Sequence, residues 1–263
     1  MDESRLHAGP YIGVTGFTSH EQIGRLLRFV EDPTGYLLMA GLLVSHKTLK
    51  GLPAKFPKRY PPLERLNDVF VDDARVVNLA HFNSKTREGL ADELATVHDL
   101  CTPLLHGFQL NMTWPLNEEL ERARAMCGKR FHYVIQLNRH VIAAADGDPK
   151  VIAERLRDSY DPEIATDTLI DSSGGLGKGF DSVFAHECIA AIREACPWTH
   201  VGLAGGIRPS DMCVRLGSFS KLRHRISIDA EGGLRDKNDE LDEFQTIIYL
   251  SRGFGLFNQN SLR

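Results

Sequence analysis

The sequence predicts an α/β fold, a single (β/α)8 TIM barrel, from three observations. The chain has 263 residues, a usual length for one such barrel. Short apolar runs alternate with helical patterns along its length, and parallel strands need helical crossovers between them. The last three runs each break into glycines, as at the phosphate-binding rim of many barrels. Since no linker divides the chain, one domain over residues 1–263 is expected.

Eight apolar runs have the length and the flanking turn residues of strands. They cover Tyr11 to Gly16, Tyr36 to Val44, Ala74 to His81, Gly107 to Asn111, Phe131 to Leu137, Thr166 to Ile170, His200 to Ala204 and Arg225 to Ile228. The alternative fold is an open doubly wound sheet. Against it, the turn after the first run, Gly13-Val-Thr-Gly16, lacks the spacing of a dinucleotide fingerprint.

Helical patterns lie between these strands. The first helix begins after Ser19, with Gln22 three residues on as in a capping box, and runs to about Glu31. The other predicted helices are Leu63 to Asp72, Lys85 to Leu100, Leu116 to Cys127, Pro149 to Tyr160 and Asp239 to Arg252. A long basic loop rich in proline, Ser45 to Pro62, follows the second strand.

Composition and charge argue against several classes of protein. The net charge of −4 gives no reason to expect nucleic-acid binding, which usually demands a basic surface. The polar first residues indicate no targeting segment, and no apolar run is long enough to span a membrane. The five cysteines lack paired spacing, so we expect reduced thiols in a cytoplasmic protein. Neither a metal nor another cofactor is expected. The oligomeric state stays open, with a homo-oligomer compatible with the sequence.

Candidate site residues follow from the barrel geometry, because the residue that ends each strand faces the ligand at the C-terminal rim. The candidates are Thr15, Arg59, His81, Gln109, Asn111, Gln136, Asp171, Gly205, Gly206, Asp229, Gly232 and Gly233. The two glycine pairs follow consecutive strands, where bare backbone N–H groups can approach a phosphate. Tight strand-to-helix turns are the other interpretation of both pairs. Lys178 lies in Gly177-Lys-Gly179, which does not complete a P-loop.

Several candidates also have a structural interpretation. Asp171 could close an Asx-turn, and Asp229 could brace the turn at Gly232 and Gly233. His81 is more typical of a hydrogen-bonded rim residue than of a base. The Arg59 guanidinium can bind a phosphate or a carboxylate through two hydrogen bonds.

Five segments together resemble the phosphoribosylanthranilate isomerase family, a (β/α)8 barrel of the tryptophan pathway. They are Val14-Thr-Gly-Phe-Thr18, Lys58-Arg-Tyr60, Phe108-Gln-Leu-Asn111, Leu169-Ile-Asp171 with Gly174-Gly-Leu-Gly-Lys-Gly-Phe-Asp181, and Leu203-Ala-Gly-Gly-Ile-Arg-Pro-Ser210. The resemblance implies a barrel that rearranges an aminoaldose to an aminoketose. It gives Asp171 the role of general acid on the ring oxygen.

The same resemblance places Thr15 where the family has the cysteine that acts as general base. A threonine hydroxyl is far less acidic than a thiol and cannot serve unaided. Asn111 stands where the family has a histidine, and Ala230-Glu-Gly-Gly233 where it has a serine-glycine turn. Three hypotheses follow: an isomerase of a phosphorylated sugar-type molecule, a related barrel with other acid/base chemistry, and a ligand-binding barrel without catalysis.

Overall fold

Eight parallel strands close into a barrel in sequence order, and the last strand pairs with the first. The computed structural model describes residues 9–30, 35–171, 180–222 and 225–258. The closure confirms the predicted (β/α)8 barrel and rules out the open sheet. The strands are β1 Tyr11–Thr15, β2 Leu37–Ser45, β3 Val76–Asn83, β4 Gly107–Asn111, β5 His132–Leu137, β6 Asp167–Asp171, β7 His200–Ala204 and β8 Ser227–Ala230.

Helices cover the outside of this barrel. In the described part of the chain they are α1 His20–Leu27, α2 His46–Leu49, α3 Leu90–Cys101, α4 Asn117–Cys127, α5 Arg139–Ala143, α6 Pro149–Ser159, α7 Ser182–Ala195, α8 Met212–Leu216 and α9 Glu243–Asn258. Short 3₁₀ helices cover Pro57–Arg59, Leu63–Asp68, Phe219–Lys221 and Gly232–Leu234. None of the described helices is long and apolar enough to cross a membrane.

Alternate side chains of the strands pack in two separate apolar groups, as the period of two requires. One group fills the middle of the barrel: Tyr11, Met39, Val77, Leu79, Val134, Leu169 and Ala204. The other, larger group lies between the strands and the helices and includes Ile12, Leu38, Ala80 and Ile228. The inner group ends below the C-terminal rim, so the next inward-facing positions are free to carry polar side chains.

Two strand boundaries next to the site differ from the prediction. β8 covers Ser227–Ala230 rather than residues 225–228, and β3 continues to Asn83 instead of ending at His81. Pairing sets both limits, because β3 stays paired with β2 to Asn83 and β8 stays paired with β1 to Ala230. Asp229 and His81 therefore lie within strands, where the pleat fixes the direction of their side chains.

The last helix begins at Glu243, so the predicted start at Asp239 is wrong. Asp239 has a φ of 65°, in the left-handed region, and belongs to a turn. Asp242 then caps the helix, since its carboxylate accepts a hydrogen bond from Gln245 N at 3.0 Å.

Three other helices are clearly shorter than predicted. The helix predicted from Lys85 begins at Leu90, because Gly89 before it has a left-handed φ of 75°. The first helix of the chain ends at Leu27, where bonds from Phe29 N to Leu26 O and from Val30 N to Leu27 O tighten the last turn. The segment predicted as helix over residues 63–72 forms a 3₁₀ helix that ends at Asp68.

Candidate functional site

A layer of polar side chains lies inside the C-terminal end of the barrel. These residues share the inward register of the apolar group below them, by the period of two along each strand. They are Thr15, His81, Gln109, Gln136, Asp171 and Asp229. Each belongs to a different strand, and each is among the candidates that the strand ends predict. The barrel thus gathers residues that are far apart in sequence into one layer.

Hydrogen bonds join five of these side chains into one chain across the barrel mouth. Gln136 Nε2 donates to Asp171 Oδ2 at 3.1 Å. Gln109 Nε2 donates to Gln136 Oε1 at 3.3 Å and to Asp229 Oδ2 at 3.1 Å. Thr15 Oγ1 donates to the two Asp229 oxygens at 3.0 and 3.1 Å. Because β4 and β8 lie on opposite sides of the closed barrel, the bond from Gln109 to Asp229 crosses its interior.

The contact between Thr15 and Asp229 needs a glycine on the neighbouring strand. Gly41 pairs with Thr15, and a Cβ on residue 41 would lie 2.5 Å from Thr15 Oγ1. Any side chain at this position would push the hydroxyl away. Thr15 therefore lies within hydrogen-bond distance of a buried carboxylate.

Asp229 is the buried carboxylate of this hydrogen-bonded chain, with only 4% of its surface exposed. Burial raises the pKa of its carboxyl above the ordinary aspartate value. The nearby His81 and the hydrogen bonds from Gln109 and Thr15 act in the opposite direction, while Glu231 adds to the rise. A carboxylate tuned in this direction is a better proton acceptor near neutral pH than an exposed one.

One polar atom of this layer is unsatisfied. Gln109 Oε1 is buried and has no hydrogen-bond partner in the part of the chain that the structure describes. The amide nitrogen of the same side chain faces Asp229, Gln136 and, at 3.5 Å, His81 Nδ1. A buried acceptor without a donor is costly, so this oxygen is suited to accept a hydrogen bond from a ligand hydroxyl or amine.

We expect the stability of the protein to depend on pH through Asp229. In the unfolded chain this carboxyl titrates at about 3.9. The folded state keeps the proton to higher pH, so it binds more protons than the unfolded state between the two pKa values. The free energy of unfolding should therefore fall as pH rises from about 3.9 toward the folded-state pKa. Urea unfolding over this range should show wild type losing stability relative to Asp229→Asn, and a constant difference would contradict the expectation.

Asp171 is the more exposed carboxylate of the hydrogen-bonded chain and lies at the last position of β6. It lies on the inward face and is held by Gln136, so its side chain points into the mouth and not toward the helices. The glycine-rich segment that follows, including Lys178, lies outside the described residues. Beyond it, Asp181 caps α7 by accepting from Phe184 N at 3.0 Å.

Arg59 lies at the same rim but is bonded to carboxylates other than Asp171. Its Nε donates to both Asp239 oxygens at 2.9 and 3.1 Å, and its Nη1 donates to Glu231 Oε1 at 2.7 Å. One face of the guanidinium stacks on Phe56, with 4.1 Å between Cζ and the ring centroid. Arg59 is thus held by a set of residues next to the polar layer.

The two glycine pairs differ in what requires glycine. Gly205 and Gly206 have φ values of 92° and 67°, in the left-handed region. A Cβ on Gly233 would lie 2.1 Å from Ile207 O, so the turns after β7 and β8 touch each other. Gly205, Gly206 and Gly233 therefore have a structural reason to be glycine. Phosphate binding at Gly205, Gly206, Gly232 and Gly233 stays a prediction.

Asn111 is turned to a neighbouring loop. Asn138 Nδ2 donates to Asn111 Oδ1 at 3.0 Å, and Asn138 Oδ1 caps α5 by accepting from His140 N and Val141 N. A contact of Asn111 with substrate stays a prediction. In the described part of the chain, no group of three or more His, Cys, Asp or Glu side chains could hold a metal ion.

The sequence alone does not indicate the carboxylate partners of Arg59 or the role of Arg235. Arg235 Nη2 donates to Thr15 O at 2.5 Å and to Gly16 O at 3.2 Å, so it holds the end of β1 to the loop after β8. A cavity of about 310 Å³ lies beside it, lined by Thr18, Gln22, Lys58, Arg235, Glu240 and Leu241. No local motif predicts these contacts, because each joins residues of different loops.

Several solved structures have a similar fold. The phosphoribosylanthranilate isomerase of Thermus thermophilus superposes with a TM-score of 0.61 at 17% identity, covering 97% of this chain and 100% of the isomerase. The enzyme of Thermococcus kodakaraensis gives 0.60 at 17%, covering 94% and 99%. That of Pyrococcus furiosus gives 0.59 at 14%, covering 93% and 100%. The chain has the fold of these isomerases.

At these identities the likeness extends to the fold alone. No protein-family model matches the sequence, and no curated protein matches it significantly. The chemistry of the barrel mouth must therefore be argued from its own side chains.

Proposed function

We propose that this protein is an isomerase that moves a proton on a sugar-type small molecule at the mouth of its barrel. The observation that carries the proposal is the hydrogen-bonded chain from Thr15 and Asp229 through Gln109 and Gln136 to Asp171. It holds two carboxylates with different environments in one layer, one buried and one at the edge of the mouth. Such pairs are typical of sites where one group gives a proton and another takes one.

Asp229 with Thr15 forms the basic side of this site. The Thr15 hydroxyl already donates to the carboxylate, so it can pass on a proton taken from the substrate. Asp229 supplies the basicity that a threonine lacks, and its raised pKa suits that task. The pair thereby replaces the cysteine of the resembled family with a hydroxyl and a carboxylate.

Asp171 forms the acidic side. In an aldose-to-ketose rearrangement, the acid protonates the ring oxygen and the sugar ring opens. The base then removes the proton from the carbon next to the carbonyl or imine carbon. The resulting enol or enamine becomes the ketose when its hydroxyl loses a proton and the former carbonyl or imine carbon takes one up. The substrate is rearranged without gain or loss of atoms, so no co-reactant is needed. Gln136 donates to Asp171 and Gln109 donates to Asp229, so the two glutamines hold the two carboxylates apart and in fixed orientations.

The class of substrate is supported by two observations. Gln109 Oε1 is a buried acceptor without a partner among the described residues, which suits a hydroxyl-bearing ligand. The solved barrels of similar fold described above are named phosphoribosylanthranilate isomerases. We therefore place aldoses and N-aldosylamines first among the substrates to test.

The direct test is a panel of such sugars, free and phosphorylated, incubated with the protein and followed by NMR. The expected result is conversion of at least one member to the corresponding ketose. A panel of pentoses, hexoses and their aryl and alkyl amines without any conversion would contradict the proposal.

Activity on phosphoribosylanthranilate itself is expected to be low. Thr15 and Asn111 stand where the family has the cysteine and the histidine, and Arg59 is already bonded to two carboxylates. Expression in a tryptophan auxotroph that lacks this isomerase should give little or no growth on minimal medium. Growth equal to that of a strain carrying an authentic isomerase would show that the protein converts phosphoribosylanthranilate.

A further inference from the structure

The corner of the rim after β8 is occupied by a carboxylate of the protein itself. Glu231 follows the last residue of β8 and precedes Gly232 and Gly233, where the sequence predicts a bound phosphate. A Cβ on Gly232 would lie 4.0 Å from Arg59 Nη1, so the backbone of this turn and the guanidinium are neighbours. Glu231 Oε1 accepts from that same Nη1 at 2.7 Å.

Every nitrogen of Arg59 already donates to a carboxylate of the protein. Nε and Nη2 both donate to Asp239, and Nη1 donates to Glu231. The side chain is 12% exposed, and Phe56 covers one face of the guanidinium. The remaining N–H groups on Nη1 and Nη2 lie beside these carboxylates, so an anion that approached them would meet the like charge of Glu231 and Asp239.

The charges around this corner also balance, because Lys58, Arg59 and Arg235 lie near the carboxylates of Glu231, Asp239 and Glu240. Lys58, next to Arg59, pairs with Glu240 at 3.0 Å, and Glu240 follows Asp239 in the same turn. Arg59 faces two carboxylates, which outnumber it. An incoming anion thus meets no surplus positive charge from these residues, and it meets the like charge of Glu231 at close range.

We propose that Glu231 excludes phosphate and carboxylate groups from the β8 corner of the mouth, and that the ligand presents a hydroxyl or a protonated amine there. Glu231 Oε2 has no hydrogen-bond partner among the described residues and is suited to accept from such a donor. This inference rests on the proposed function for the identity of the ligand as sugar-type. It narrows the substrate class to sugars that carry no negative charge at this end.

The test is a titration of isotope-labelled protein with inorganic phosphate, followed through the backbone amide signals of Gly232 and Gly233. Wild type is expected to show no saturable shift at millimolar phosphate. Glu231→Gln removes the charge and keeps the size, leaving Arg59 anchored by Asp239. This variant should bind phosphate at least roughly tenfold more tightly, because a like charge in direct contact is gone.

Glu240→Gln is the matched control, since it removes a carboxylate from the same cluster without touching Arg59. It should leave phosphate affinity at the glycines as in wild type. Glu231→Ser serves as a second variant in case the glutamine keeps the corner closed. Saturable phosphate binding to wild type at these glycines, or equal affinity in wild type and both Glu231 variants, would overturn the proposal.

The titration measures phosphate binding at the rim and needs no turnover. Its outcome is therefore separate from the test of the proposed function. A protein that converts no sugar can still show the Glu231 effect. Conversely, a wild-type protein that binds phosphate at this corner would leave the roles of Asp171 and Asp229 intact.

Discussion

Replacing Asp229 by asparagine is expected to lower turnover of the sugar substrate by about 10²–10⁴-fold, the range for a positioned general base. The substitution keeps the shape of the side chain and removes the proton acceptor. The fold should survive, because the new amide oxygen can still accept from Thr15, and a flip of the Gln109 amide would turn Gln109 Oε1 toward the new N–H groups. Initial rates of ketose formation, measured by NMR per mole of folded protein, give the factor.

Asp167→Asn is the matched control for this prediction. Asp167 is also a buried carboxylate on a barrel strand, with 2% of its surface exposed, but it lies at the first position of β6. Its carboxylate accepts from Thr166 Oγ1 at 2.8 Å and from Gly9 N at 3.2 Å, at the end opposite to the mouth. Turnover per folded molecule should stay at the wild-type level. A loss as large as that of Asp229→Asn would show that a general effect on the barrel explains both.

Replacing Asp171 by asparagine should lower turnover by at least roughly 10²-fold, the low end for a positioned general acid. The folded state should be nearly unaffected, since the side chain lies at the edge of the mouth and contributes little packing. The oxygen of the new side-chain amide could still accept the hydrogen bond from Gln136, so the chain of amides would stay in place. The midpoint of thermal unfolding, compared between the variant and wild type, checks that the fold is intact.

Unchanged turnover in Asp171→Asn would return this residue to a purely structural role in the turn after β6. A substrate analogue with an open chain sharpens the assay, because it needs no ring opening. The variant should lose much less activity on such an analogue than on the cyclic sugar. Equal losses on both would mean that Asp171 does not act on the ring oxygen.

The polar layer could be predicted from the sequence because barrel geometry converts strand positions into a site. Thr15, Gln109, Gln136, Asp171 and Asp229 each lie near the end of an apolar run. Parallel pairing brings these ends to the same rim. Errors of one or two residues in the ends of β3 and β8 did not matter, since the period of two still placed His81 and Asp229 on a defined face.

The contacts between loops could not be predicted in the same way. Arg59 and its partners Glu231 and Asp239 are separated by 172 and 180 residues. No periodicity links a basic loop after β2 to an acidic turn after β8. The turn at Asp239 also resembles the start of a helix, because its left-handed φ is not evident in a sequence of acidic residues. These contacts follow from closure of the barrel, which brings the loops after β1, β2 and β8 side by side.

The central claim is that Asp229 is the base of a proton transfer at the barrel mouth. The measurement that tests it most directly is kcat/KM against pH for the converted sugar, in wild type and in Asp229→Asn. Wild type should lose activity on the acid side with a midpoint above about 3.9, since burial raises the pKa of this carboxyl and the protonated form cannot accept a proton. The residual activity of Asp229→Asn should lack that acid limb. An acid limb that is unchanged in the variant would contradict the account.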